Sequence, residues 1–377
     1  MRAERDIAGI SLPFAAGVAL TAWAGHLICL HPYISLTVIF SAIAVSTAFL
    51  SHPIHRSVPS AHMRTVICVC LGFCGILCGT TSEILSVSGP FTGGLAESAL
   101  AMGSATGEAI DRIGFRSPDT NAIIKALIIG DRSDIPKDIT RAFRDSGASH
   151  ILALSGLHLG IIYSTLAKGL SFIGNESGAR AARSATIILT CGLYTLATGA
   201  GPSIVRAFLF IIIGEISRLH DRYRSTGTVL LSALLIHLTI APSDIREVGF
   251  QLSYAAMAGI AYIFPWLKGL WPDDKDEDPI GVLKYCLRPL RWIWTTASMS
   301  IACQITTAPL AWHYFGTFPV HFLLTNLIAL PLTGLIIPLA LLTLVLSVFG
   351  ICPEMISRAC EMLVTALSQA LDIISAM

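Results

Sequence analysis

The residues most able to do chemistry crowd into one stretch, Ala126 to Gly160, reading ALIIGDRSDIPKDITRAFRDSGASHILALSGLHLG. It passes from charged segments carrying Arg132 and Asp145 straight into an apolar run that holds His150, Ser155 and His158. Ser155 and His158 are three apart, so on a continuous helix they share a face. His150, Leu154 and His158 follow a neighbouring line at four-residue spacing. Gly156 and Gly160 form a small-xxx-small pair that lets a second helix come close. Polar groups this deep in an apolar run are costly, and they face a bundle interior or an aqueous cavity. Three roles fit the pattern: lining a wet lumen, satisfying one another in packing, or acting as a nucleophile and its base. The last needs a third group to orient the base and an oxyanion hole, and the sequence assigns neither. The lumen reading therefore ranks first, packing second and catalysis third.

A second group sits further along. Arg206 follows the break TGAGPS by about one turn, where a cation in the membrane costs roughly 2.5–3.5 kcal/mol on insertion scales. It either snorkels to the outer interface or offers a fixed cation to a phosphate, and the residue alone leaves both open. Glu247, Gln251, Ser253 and Tyr254 make a polar patch in EVGFQLSYAAMAGI. Asn326 lies deep in an apolar run and needs a partner. No P-loop, HExxH or HxHxDH run occurs in the sequence, so no nucleotide-binding loop, zinc-protease helix or metallo-nuclease centre is legible, and no cofactor is expected.

The elements that must position these residues are membrane helices. Of 377 residues 54% are hydrophobic and 13% charged, against about 25% charged in a soluble domain. The mean hydropathy is +0.71. At roughly 20 residues per span, this is material for around ten crossings. Apolar runs place spans near 7–30, 33–50, 64–82, 149–167, 184–200, 203–219, 226–241, 247–267, 292–310, 317–330 and 331–349, with 355–375 crossing or lying along the interface. The two runs around Asn326, Pro331 and Pro338 also read as one long broken helix. The predicted fold is all-α, a polytopic bundle of about 10–12 spans. Its parts are N-terminal helices over 1–82, an extracytoplasmic segment over 83–148, a transmembrane module over 149–349 and a last helix over 350–377.

Lys and Arg in the short loops favour a cytoplasmic N-terminus. The first apolar run reads as a retained span rather than a cleaved signal. A net charge of +1 excludes a broad basic surface, so any nucleic-acid contact is local. In the outer segment an amphipathic helix is predicted over 95–113, a second capped by Asp119 or Thr120 and stopped at Gly130, and a third from Pro136 to Ser146. The acidic run at 273–278 reads as a solvated loop. Ten cysteines show no Cys-x-x-Cys spacing; Cys70, Cys74 and Cys78 share a helical face, but packing is favoured over a soft-metal site.

Four blocks, in order, give the sequence a resemblance. ALIIGDRSDIP with AFRDSGASHILALSGLHLG, GPSIVRAFLF, VGFQLSYAAMAGI and TTAPLAWHYFGTFPVHFLLTNLIALPLTG are similar to the motifs of the ComEC competence family over roughly residues 95–345. The resemblance implies an inner-membrane channel, not an enzyme, that passes one strand of transforming DNA into the cytoplasm. It also implies a periplasmic DNA receptor, a cytoplasmic helicase or motor, membrane lipid around the spans, and room for a homo-oligomer. Full-length members carry an OB-like domain after the first spans, for which residues 82–94 are too few, and often a C-terminal metallo-β-lactamase-like domain. What is here resembles the competence module alone. Arg132, Asp145, His150, Ser155, Gly156, His158, Arg206, Gln251, Ser253 and Asn326 are the candidates for the DNA path. A small-solute secondary transporter using breaks near Gly201 and Pro331, an intramembrane hydrolase on Ser155 and His158, and a degenerate remnant are the other readings.

Overall fold

The computed structural model describes residues 2–30, 60–87, 94–174, 176–220, 225–271, 281–316, 320–350 and 354–377. The predicted span 33–50 and the acidic run 273–278 lie outside them. All regular structure among the described residues is helical: α1 (Arg2–Leu30), α2 (Ser60–Val87), α3 (Gly94–Ile113), α4 (Pro118–Ile129), α5 (Lys137–Asp145), α6 (Ser149–Leu152), α7 (Gly156–Gly169), α8 (Ser177–Ala197), α9 (Pro202–Leu219) and α10 (Thr226–Ile240). After a 3₁₀ turn (Pro242–Arg246) come α11 (Val248–Lys268, with a π-helical turn at Gly259–Ile263), α12 (Gly281–Phe315), α13 (Phe322–Val348) and α14 (Glu354–Ser375). Among the described residues three segments are long and apolar enough to cross a bilayer: Ala3–Trp23, Val248–Lys268 and Phe322–Ser347. Ile67–Ser82 and Thr226–Ile240 are apolar but shorter.

The helices divide into two compact units, residues 1–92 with 220–254, and 93–219 with 255–377. In the first, α1 and α2 pack backbone to backbone because glycine removes the side chains between them. A Cβ built on Gly17 would lie 2.0 Å from the Gly72 carbonyl oxygen, and one on Gly75 2.1 Å from that of Phe14. Cys78 Sγ lies 3.7 Å from the carbonyl oxygens of Leu238 and Thr239 on α10, so this cysteine meets backbone. No group of three metal-ligating side chains occurs among the described residues.

In the second unit the amphipathic helices between residues 94 and 148 contribute much of the core. Ile123, Ile124 and Leu127 of α4 and Phe143 of α5 are buried with Ile336 and Ile337 of α13 and Leu367 and Leu371 of α14. The apolar stripe of α14 faces that core, and Met355 and Met362 are exposed. A smaller cluster joins Leu159 of α7, Ile187 and Cys191 of α8, and Ile204 and Ile211 of α9. Gly130 ends α4 in the left-handed region, φ 78°, its N–H bonded to the carbonyls of Lys125 and Ala126, a conformation that costs glycine little.

Three sequence expectations are corrected. The run 149–167 is not one helix: Ala153 is extended (φ −78°, ψ 127°), and α7 begins only at Gly156, because Ser155 caps it. The apolar runs read near 317–330 and 331–349 fall, from Phe322 to Val348, in one helix, α13, as the long-helix alternative had it, but Pro331 and Pro338 lie inside it without a break. The residue at the start of α4 is Ser117, making no side-chain cap bond, with Pro118 in the first turn. Proline suits that position because its missing N–H would be unpaired there anyway.

Candidate functional site

The site is built where α7 begins. Ser155 has extended backbone, φ −131° and ψ 168°, and its Oγ accepts from the Leu157 N–H at 3.3 Å. His158 reaches back and its Nδ1 accepts from the Ser155 N–H at 3.2 Å. These two bonds form a capping box, with histidine where glutamate or glutamine usually stands. Ser155 Oγ also lies 3.0 Å from His158 Nδ1. The pair therefore meets as predicted, but through a helix cap and not across a shared helical face. His158 is fully buried, and its Nδ1 is already engaged by a backbone donor. Among the described residues no carboxylate reaches its Nε2.

Gly156, the first residue of α7, faces α9. A Cβ there would lie 2.6 Å from Arg206 Nη2 and 3.2 Å from Ala207 Cβ. The absence of a side chain at 156 is thus what lets the guanidinium approach the start of α7. Arg206 is 7% exposed, and its Cζ lies 5.8 Å from the centroid of the Phe210 ring, a cation–π distance. Around Gly160 nothing lies within 4 Å of a built Cβ, so only the first glycine of the predicted pair makes a close approach.

The other candidates fall elsewhere. His150 is exposed on α6, with Nδ1 3.2 Å from the Gly147 carbonyl oxygen; the break at 153–155 removes it from the helical line with Leu154 and His158. Asn326 of α13 donates through Nδ2 to Ser300 Oγ at 3.3 Å. Gln251 donates to the Ile245 carbonyl at 2.9 Å, and Ser253 is buried; both belong to the first unit. Arg132 and Asp145 are exposed, and Asp145 accepts from Arg144 Nε at 3.3 Å.

The segment 83–148 is not the source of positive charge that its arginines suggest. Residues 83–148 hold seven basic and nine acidic side chains, and several cations are paired. Lys125, 8% exposed, bonds Asp111 at 2.8 Å and Asp134 at 3.0 Å. The two carboxylates hold its ammonium above the usual lysine range. The same lysine, helped by the Asn121 amide at 2.6 Å, holds the Asp111 carboxyl below the usual aspartate range. Ser133 does the same for Asp131 through its hydroxyl and its backbone N–H. Glu108, Asp111, Lys125, Asp131 and Thr198 border a cavity of about 460 Å³. Among the described residues Arg132, Lys137 and Arg141 make no ion pair.

Two buried clusters went unread in the sequence. Glu215 of α9, fully buried, accepts from Tyr163 Oη at 2.8 Å and Ser184 Oγ at 2.7 Å. In the first unit His237, 1% exposed, has Nε2 3.1 Å from Asp244 Oδ2 and Nδ1 3.2 Å from Tyr254 Oη. The available signal was an ionisable side chain inside an otherwise apolar run, IIIGEIS for one and LLIHLTI for the other.

Comparison with known proteins agrees with this arrangement of motifs. Residues 127–377 match the family described as Competence protein. ComE operon protein 3 of Bacillus subtilis (strain 168) is 37% identical over 142 residues, 37% of this chain and 17% of that protein. The uncharacterized protein YcaI of Escherichia coli (strain K12) is 26% identical over 236 residues, 61% of this chain and 30% of that protein. The chain thus aligns with less than a third of the length of either relative. No solved structure matches it. With the family match running from before the Ser155 cap through Arg206 to the last helix, the chain belongs to the competence protein family.

Proposed function

We propose that this chain forms the membrane channel through which a single strand of DNA reaches the cytoplasm during competence. The observation that carries the reading is the approach of Arg206 to Gly156 at the start of α7. A helix N-terminus bears a partial positive charge. A guanidinium held beside it adds a full positive charge with a planar set of donors suited to phosphate. Both groups are positive, so together they favour an anionic ligand over a cationic one. Membership of the competence protein family supports a role for this geometry in DNA uptake.

The spans beyond the three long apolar helices, the cytoplasmic N-terminus and the inner-membrane location belong to the same proposal, supported by composition and loop charge. A cytoplasmic motor would pull the strand and an outer receptor would deliver it. Arg132, Lys137 and Arg141 would meet it first. The transporter reading loses support because α13 runs through Pro331 without the second helix break it requires. The hydrolase reading loses support because the nitrogen of His158 nearest Ser155 Oγ is already engaged by the Ser155 backbone N–H.

The test is uptake of fluorescent DNA by a deletion strain complemented with wild type or Arg206→Ala. DNA held at the envelope in the deletion strain, with import restored by wild type alone, supports the channel with Arg206 in its path. Normal import by the deletion strain overturns it.

A further inference from the structure

Glu215 is a fully buried carboxylate with a partner from each helix of a three-helix group. Tyr163 of α7 donates to Oε1 at 2.8 Å, and Ser184 of α8 donates to Oε2 at 2.7 Å. Arg218, one turn further along α9, places Nη1 3.1 Å from Oε1. Its Nη2 donates to Tyr163 Oη at 2.6 Å, closing a ring of Glu215, Arg218 and Tyr163. A buried carboxylate is tolerated only while such partners remain in place, so the ring resists any change that separates the three helices.

The position of the ring gives it a purpose. Tyr163 is seven residues after Gly156, two turns along the same face of α7 and about 10 Å along its axis. Gly156 meets Arg206 and Ala207, and Tyr163 meets Glu215 and Arg218. The two helices therefore run parallel and touch at two levels. A slip of α7 along α9 by a single residue is a shift of about 1.5 Å, enough to break the 2.8 Å bond. The same slip would carry the start of α7 away from the guanidinium.

We infer that Glu215 is a positioning residue: with Tyr163 and Arg218 it sets the axial register of α7 against α9 and so holds Arg206 at the start of α7. This rests on the channel reading for its importance to DNA, but the register itself is measurable without DNA.

The reporter is the full chain in membranes carrying Gly156→Cys and Ala207→Cys, with Arg206→Ala to make room. A Cβ built on residue 156 would lie 3.2 Å from that of residue 207, just short of the range in which a disulfide closes. Oxidation followed by mass spectrometry of the linked peptides reads the register. We expect the link to form readily, and Glu215→Gln or Tyr163→Phe to lower its yield severalfold. Ile187→Val, which loosens the same core without touching the ring, should leave the yield unchanged. If Glu215→Gln fails to accumulate, Tyr163→Phe, which removes one hydroxyl, carries the test. Unchanged yield in the ring variants overturns the inference, and so does an equal loss in Ile187→Val. DNA uptake by Glu215→Gln without the reporter changes then judges the channel reading separately. A displaced register with normal import leaves the clamp standing and overturns the role given to Arg206.

Discussion

Gly156 and Arg206 are matched by subtraction: the guanidinium occupies the space that a side chain at 156 would fill, 2.6 Å from a built Cβ. Gly156→Ala should therefore abolish DNA uptake while the chain still accumulates in membranes. The 3.2 Å contact with Ala207 Cβ needs only a few tenths of an ångström of give, but the 2.6 Å contact forces Arg206 Nη2 to leave its place at the start of α7. Gly160→Ala, four residues on and with nothing within 4 Å, should preserve uptake and stabilise α7 by up to about 1 kcal/mol through helix propensity. Equal uptake by the two variants would remove the role given to the Gly156 contact.

Ser155→Ala separates a cap from a nucleophile. The hydroxyl accepts from the Leu157 N–H, and losing an N-cap of this kind costs about 1 kcal/mol. The expected phenotype is a modestly less stable chain, read as a lower melting temperature in detergent, with DNA uptake reduced but present. A purified chain that cleaved a peptide or ester bond, and lost that activity outright in Ser155→Ala, would restore the hydrolase reading.

The ion-pair cluster around Lys125 predicts a pH dependence of definite sign. Asp111 is held below its ordinary value of 3.8, so its contribution to stability is present above that pH and lost as pH falls through the lower folded value. Lys125 is held above its ordinary 10.5, so its contribution is full below that pH and lost only as pH rises past the higher folded value. Lys125→Met removes both effects. The substitution should cost about 1 kcal/mol at neutral pH, a modest figure because Asp111 and Asp134 are half-exposed and solvent-screened. Limited proteolysis of the segment 83–148 reads this. In wild type, cleavage should accelerate as pH is lowered through the range below 4, whereas the variant should be cut faster at pH 7 and change less with acid.

Gly17→Ala probes the tight helix pair of the first unit. The added carbon would sit 2.0 Å from the Gly72 carbonyl oxygen and 2.8 Å from the Ile76 nitrogen, both backbone atoms that cannot rotate away. Overpacking of this kind costs about 1–3 kcal/mol. Gly9→Ala on the same helix, with nothing within 4 Å, should not destabilise and should add up to about 1 kcal/mol through helix propensity. A thermal melt of the purified chain compares the two, and equal melting temperatures would contradict the close packing of α1 on α2.

The amino-acid sequence by itself determined the helical character, the apolar content and the family. It also carried the amphipathic helices: the stripe read over 95–113 is α3 at Gly94–Ile113, and the stop read at Gly130 is the left-handed residue ending α4. Such features depend on periodicity and on backbone preferences within a few residues, which a linear sequence carries directly. Tertiary structure alone decided the rest. A capping box at Ser155 interrupts a run that is apolar enough to continue as a helix, and α13 continues through two prolines that a local rule would treat as breaks. The partnership of Gly156 with Arg206 joins residues 50 apart, and that of Tyr163 with Glu215 joins residues 52 apart. Hydrophobic periodicity shows that a face is buried without naming what buries it. The register between two helices is set by which side chains fit and which polar groups must be paired, and only the assembled helices supply both.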